Sequence, residues 1–160
     1  MSPARKSDPK RPEPGVDALV DVMDTTLRDG EQTPDVAYSP AEKRELARIF
    51  LADVGVDRIE IASTRVSAGE REAACEVTAW ARKARLLERV EILGYCDGRA
   101  SVDWISAVGG QVMNLLVKGS EKHCRGQLGL SPDVHRERVR ESVSRAQGKK
   151  LKVNVYLEDW

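Results

Sequence analysis

Between Asp24 and Thr33 the chain reads Asp-Thr-Thr-Leu-Arg-Asp-Gly-Glu-Gln-Thr, and its charged pair is equipped for chemistry. Arg28 carries a planar, permanently charged fork that suits a carboxylate or the oxygen of a forming enolate. Asp29 beside it offers a hard anionic oxygen of the kind Mg²⁺ or Mn²⁺ prefers and Zn²⁺ accepts. Gly30 lets backbone approach closely, with no Cβ in the way. A short apolar run, Ala18–Met23, leads into the stretch, so these residues fall just past the end of an expected strand. In parallel α/β folds that end is where ligands bind. The same cluster also describes a solvated strand-to-helix turn, and local chemistry leaves both readings open.

The rest of the chain alternates strands with helices. Ser39-Pro40-Ala41-Glu42 is a capping box with proline in the first helical turn, followed by an apolar face through Leu46, Ile49, Phe50 and Val54 and a stop at Gly55. Val56–Ala62 reads as a second strand, with Ile59 and Ile61 on the face opposite Glu60. Ser67 caps a helix that turns Val77, Trp80, Ala81 and Ala84 to the core, and Val90–Cys96 is a third strand. Ser101 opens a shorter helix closed by Gly109-Gly110, and Val112–Val117 is a fourth strand. Ser120 and Ser131 each start a further helix, the second ending at Gly148, and Leu151–Trp160 is a fifth strand.

Strands at this spacing, each followed by a capped helix, imply parallel βαβ units with right-handed crossovers. A small doubly wound sheet and the N-terminal part of a (β/α)₈ barrel both fit. Two features favour the barrel. No glycine-rich phosphate loop follows any strand, and polar residues recur toward the carboxyl ends of several strands: Arg28, Asp29, Glu60, Asp97, Asn114, Lys118 and Glu158. Residues 1–16, rich in Pro, Lys and Arg, read as a disordered tail, and residues 17–160 as an incomplete barrel domain.

Composition narrows the function classes. Lys plus Arg and Asp plus Glu number 26 each, which argues against a nucleic-acid or anionic-membrane partner. No apolar run is long enough to span a bilayer, and no secretory signal opens the chain. Three scattered cysteines without CxxC spacing suit a reducing compartment, so the expected location is cytoplasmic.

The Asp24–Thr33 motif resembles the signature of the metal-dependent acyl-CoA/2-oxo acid condensing enzymes, the group of 2-isopropylmalate, homocitrate and citramalate synthases. The likeness continues through Val56–Glu70, Glu91–Gly94, Asn114–Gly119 and Val153–Trp160, and is strongest toward citramalate synthase-like members. It implies a barrel acyltransferase of amino-acid biosynthesis that joins acetyl-CoA to a 2-oxo acid by a Claisen-type condensation. It also implies a divalent metal (Mg²⁺, Mn²⁺ or Zn²⁺), small-molecule substrates and a homodimer in the full-length form. A lyase or carboxyltransferase of the same barrel superfamily, or a non-catalytic module docking on a full-length synthase, are the alternatives.

Residue by residue, the resemblance makes Asp29 the carboxylate ligand of the metal and Arg28 the group that polarises the oxo-acid carbonyl. Gln32 and Glu60 would line the metal pocket. Tyr156 and Glu158 would lie toward the acyl-CoA, with a desolvated Glu158 as base for the acetyl methyl proton. Leu93 and Leu116 would shape the pocket for the oxo-acid side chain. Glu60 equally suits a structural pair with Arg28, Tyr156 and the two leucines suit plain packing, and Glu158 suits a polar strand end. His123 and His135 read as surface or packing residues. The family completes its metal site with a His-x-His pair that this sequence lacks, and one protein carboxylate holds a metal poorly. The expectation is therefore the N-terminal portion of such a synthase, inactive or poorly folded alone.

Overall fold

The structure, a computed structural model, describes residues 20–159; the tail expected over residues 1–16 lies outside them. Five parallel strands run in the order β1 (Met23–Asp24), β2 (Arg58–Ser63), β3 (Val90–Tyr95), β4 (Val112–Lys118) and β5 (Lys152–Glu158). Between them lie α1 (Pro40–Arg48), α2 (Ala68–Ala84), α3 (Ala100–Ala107), α4 (Glu121–Gly126) and α5 (Pro132–Gly148). Sequential order decides the architecture. A doubly wound sheet reverses at a switch point; this one does not, so right-handed crossovers lay the helices on one face.

The other face is the inside of a half-barrel. In a flat sheet, β1 and β5 would stand roughly 19 Å apart, four steps of about 4.8 Å each. The Tyr156 hydroxyl on β5 instead lies 3.4 Å from the Met23 sulfur on β1. Only strong curling brings the two edge strands that close.

Alternation along the strands sorts the two faces. Ile59, Ile61, Val90, Ile92, Met113, Leu115 and Val117 point outward and form the core with Val77, Ala81, Val102, Ile105 and Ala146 of the helices. The inward face carries Arg58, Glu60, Glu91, Asn114 and Tyr156. Such an arrangement buries apolar side chains under the helices and keeps chemistry for the barrel lumen. No helix among the described residues is long and apolar enough to cross a membrane.

The caps expected at Ser39, Ser67, Ser120 and Ser131 all form, each serine oxygen accepting the N–H three residues on. Four expectations need correction. The opening strand is two residues long, because Asp57 takes the Val22 N–H at 2.7 Å and β2 offers no ladder before Arg58. Val54 is exposed rather than facing the core: α1 runs on into a π-helical turn, Ile49–Val54, whose wider pitch rotates the face before Gly55 ends it at φ 81°. Ala84 is exposed too, one residue before the left-handed Arg85 that terminates α2. Ser101 lies inside α3 rather than at its cap; Asp97 accepts from its N–H at 3.0 Å and its hydroxyl at 2.8 Å.

Packing is tight where α3 turns back into β4. A Cβ at Gly110 would lie 2.8 Å from Ile105 Cγ2 and 3.0 Å from Ile92 Cδ1. Gly110→Ala is expected to cost about 1–3 kcal/mol by overpacking, seen as a lower urea midpoint with an unchanged slope. An unmoved midpoint would mean that this junction has room to spare.

Candidate active site

The motif forms a tight turn directly beyond β1. The N–H groups of Arg28, Asp29 and Gly30 converge on the Thr25 carbonyl at 3.1, 2.7 and 3.2 Å, and the Asp24 carboxylate accepts the Thr26 N–H at 3.0 Å. Gly30–Gln32 continues as a short 3₁₀ turn. The Arg28 side chain is held on two sides. Its Nε donates to Glu60 Oε2 at 2.6 Å with Nη2 at 2.5 Å from the same oxygen, and Nη1 donates to Asp29 Oδ1 at 2.8 Å. The other Glu60 oxygen accepts from Asn114 Nδ2 at 2.8 Å. A chain of polar contacts therefore runs Asp29–Arg28–Glu60–Asn114, from the rim inward across three strands.

Glu60 is 2% exposed, so these partners and not water must satisfy its oxygens, whereas the Asp29 side chain is 56% exposed at the rim. Beside the turn is a hollow of about 350 Å³ lined by Arg28, Glu31, Gln32, Ser63, Ser67 and Glu70 among others. The fold thus gathers Arg28, Asp29, Gln32 and Glu60 around one end of the half-barrel. Glu60 takes the arginine-paired arrangement, one of the two that its type allowed.

Leu93, Leu116, Tyr156 and Glu158 belong to the β3–β5 side. Leu93 pairs in register with Asn114, and Leu116 with Tyr156, so they share the inward face with Glu60. Leu93 is buried; Leu116 borders a separate hollow of about 270 Å³ with Tyr95, Lys118, Leu128, Leu130 and His135. Burial pushes the Tyr156 phenol above its ordinary pKa, with Glu91 adding to the effect. The expected desolvation of Glu158 is corrected. Its side chain is 43% exposed and bonded to Lys118, because β5 is the outermost strand and water reaches its end. His135 is buried, as a packing residue would be, and His123 Nδ1 lies 2.8 Å from the Ser120 oxygen. Burial lifts the Cys96 thiol to about 11, which removes it as a nucleophile near neutrality.

Among the described residues no three His, Cys, Asp or Glu side chains converge as a metal site. Asp29 has one oxygen committed to Arg28, leaving the other as a single hard donor. One donor does not fit a divalent ion firmly.

Three charged residues that sequence reading passed over also belong here. Lys43 on α1 is 1% exposed and meets Glu31 Oε2 at 2.5 Å and the Glu70 carboxylate of α2. The signal was present: Lys43 stands four and eight residues before Ala47 and Leu51, on the buried stripe of its helix. Burial pushes the Glu31 carboxyl up, but its bonds from Lys43 and the Tyr38 N–H outweigh that and leave it below its ordinary pKa. Glu70 ends above its ordinary value, since desolvation there outweighs the same lysine.

The HMGL-like family model matches residues 19–160, nearly all of the chain. The chain belongs to that family. Similar HMGL-like relatives include an (R)-citramalate synthase of Methanocaldococcus jannaschii, 35% identical over 142 residues, covering 88% of this chain and 28% of the relative. A homocitrate synthase of Frankia alni is 33% identical over 144 residues, covering 89% of this chain and 39% of the relative. The chain thus spans well under half the length of the curated relatives it matches. Among solved structures, hydroxymethylglutaryl-CoA lyase from Pseudomonas aeruginosa superposes with a TM-score of 0.66 at 21% identity, covering 86% of this chain and 45% of that one. At that identity the likeness establishes the shared barrel fold alone.

Proposed function

We propose that this HMGL-like chain carries the oxo-acid-activating part of a synthase that condenses acetyl-CoA with a 2-oxo acid. One observation carries the reading: the Arg28 guanidinium is fixed by Glu60 and Asp29 beside an open hollow at the strand ends. Arg28 binds the oxo acid and steadies the charge that grows on its carbonyl oxygen during carbon–carbon bond formation. Glu60 and Asn114 hold the guanidinium in place, and Gln32 lines the hollow. Leu93 and Leu116, on the same inward face, are assigned to the oxo-acid side chain, and Tyr156, beside Leu116 in register, to the acyl-CoA side. Glu158 takes the acetyl methyl proton once it is released from Lys118.

A divalent metal (Mg²⁺, Mn²⁺ or Zn²⁺) belongs to this proposal as the Lewis acid of the reaction. Asp29 is the residue among those described that would touch it, and it would need further ligands to hold the ion. Condensation is preferred to the lyase reaction because the relatives matched at 33–35% identity are synthases. The likeness to the lyase structure, at 21% identity, supports the fold and not the reaction.

Two measurements test the reading. In a labelled sample of the chain, pyruvate or 2-oxoisovalerate should shift the Arg28 Nε–H resonance in a saturable way. A folded turn indifferent to both acids would overturn the proposal. In a thiol-release assay with acetyl-CoA, oxo acid and Mg²⁺ or Mn²⁺, these 160 residues alone should give no turnover. Ordinary turnover would refute the claim that the chain lacks ligands and depends on further residues.

A further inference from the structure

Lys43 is among the largest fully buried side chains, yet it is charged and has two carboxylates for partners. One ammonium between two carboxylates leaves the cluster with a net negative charge when both are ionised. A buried cluster of this kind is a poor source of stability, because apolar side chains in place of all its members often stabilise a core as well or better, although removing one member alone is costly. Its geometry accounts for it differently. Glu31 belongs to the 3₁₀ turn that directly follows Arg28 and Asp29, Lys43 to the start of α1, and Glu70 to the first turn of α2. Both Glu31 oxygens are committed inward, Oε2 to Lys43 and Oε1 to the Tyr38 N–H at 2.9 Å. Glu31 thus lines the hollow with both oxygens already bonded within the protein.

We propose that Lys43 is a positioning residue: by gripping Glu31 and Glu70 together it fixes the Arg28–Asp29 turn against two helix starts. The turn is then pinned at both ends, by Glu60 through the guanidinium and by Lys43 through Glu31. Glu60 fixes the tip of the Arg28 side chain, while the backbone beneath it is tied by the convergence on Thr25 O and by the grip on Glu31. The consequence for substrate binding rests on the function proposed above; the mechanical claim does not.

Native-state hydrogen exchange on the whole chain separates the two. Glu31→Gln keeps the side chain's size and leaves Lys43 and Glu70 as a one-to-one pair, so it should fold with an unchanged or higher urea midpoint. In that variant the amides of Arg28, Asp29 and Gly30 should exchange about a hundredfold faster, while those of Ile92 and Leu115 keep their protection. Lys43→Met should loosen the same amides together with a drop in the midpoint, and if it does not fold, Glu31→Gln carries the test alone. The apparent pyruvate affinity read at Arg28 Nε–H should weaken about tenfold in Glu31→Gln. Unchanged exchange at the turn, or equal acceleration in turn and sheet, would overturn the proposal. A turn that loosens as expected in a protein that never binds oxo acid would leave Lys43 its role and remove the substrate.

Discussion

Glu60→Leu is expected to cost the chain about 3–5 kcal/mol of folding stability. Glu60 is the one acceptor that serves both Arg28 and Asn114, from Oε2 and Oε1 respectively. Leucine fills the volume but satisfies neither donor. Asn114 already has a buried Oδ1 without a partner, so losing its Nδ2 acceptor would leave the whole amide orphaned. Arg28 is partly exposed and still has Asp29, which softens its share of the loss. Glu60→Gln should fall between wild type and leucine. Its amide can donate to Asn114 Oδ1, but the carboxylate that fixes the guanidinium is gone. Urea titrations at neutral pH read all three proteins. As a control, Lys152→Ala, which breaks an exposed pair with Glu88, should leave the midpoint where it is. A leucine variant within about 1 kcal/mol of wild type would show that the polar chain across the strands contributes little.

The elements were legible because each helix announces its start chemically and each strand alternates. Serines at 39, 67, 120 and 131 cap helices where the sequence places them, and the outward isoleucines at 59 and 61 fix the face on which Glu60 must stand. Where reading failed, a tertiary contact had overridden a local signal. Ser101 resembles a cap, but the Asp97 carboxylate reaches it first and starts α3 one residue earlier. Val54 fits an α-helical period that the π turn breaks. In the site, residue types and strand ends were readable, while partners were not. Glu60 could have faced a metal or Arg28, and only the register of β2 against β4 through β3 brings Asn114 to its second oxygen. Lys43 escaped notice because a helical lysine normally reads as a solvated residue. Only the two glutamates brought in by other elements make it a buried one.

Arg28→Lys, in an enzyme that contains this sequence, should lower kcat/KM by about 10²–10³-fold, and the reason lies in counting donors. The guanidinium has five N–H groups in a fixed plane. Nε donates to Glu60, with Nη2 in ionic contact with the same oxygen, and one Nη1 hydrogen serves Asp29, which leaves hydrogens on both Nη atoms for an incoming oxygen pair. An ammonium has three donors on a flexible stem. Paired to Glu60 and Asp29 it has one left, and it cannot meet a planar carboxylate or an α-oxo acid with two parallel bonds. Asp29→Asn probes the neighbour separately. Asparagine still accepts from Nη1, so the arginine keeps its place and oxo-acid binding should survive or tighten as a nearby negative charge is removed. Turnover should nevertheless fall steeply, because the neutral amide oxygen lacks the negative charge with which the carboxylate would hold a divalent cation. The two variants thus divide the pair's labour: lysine at 28 damages recognition and rate together, whereas asparagine at 29 spares recognition and cuts the rate. Full turnover with asparagine at 29 would take Asp29 out of the metal site, and an unaltered kcat/KM with lysine at 28 would take the guanidinium out of the reaction.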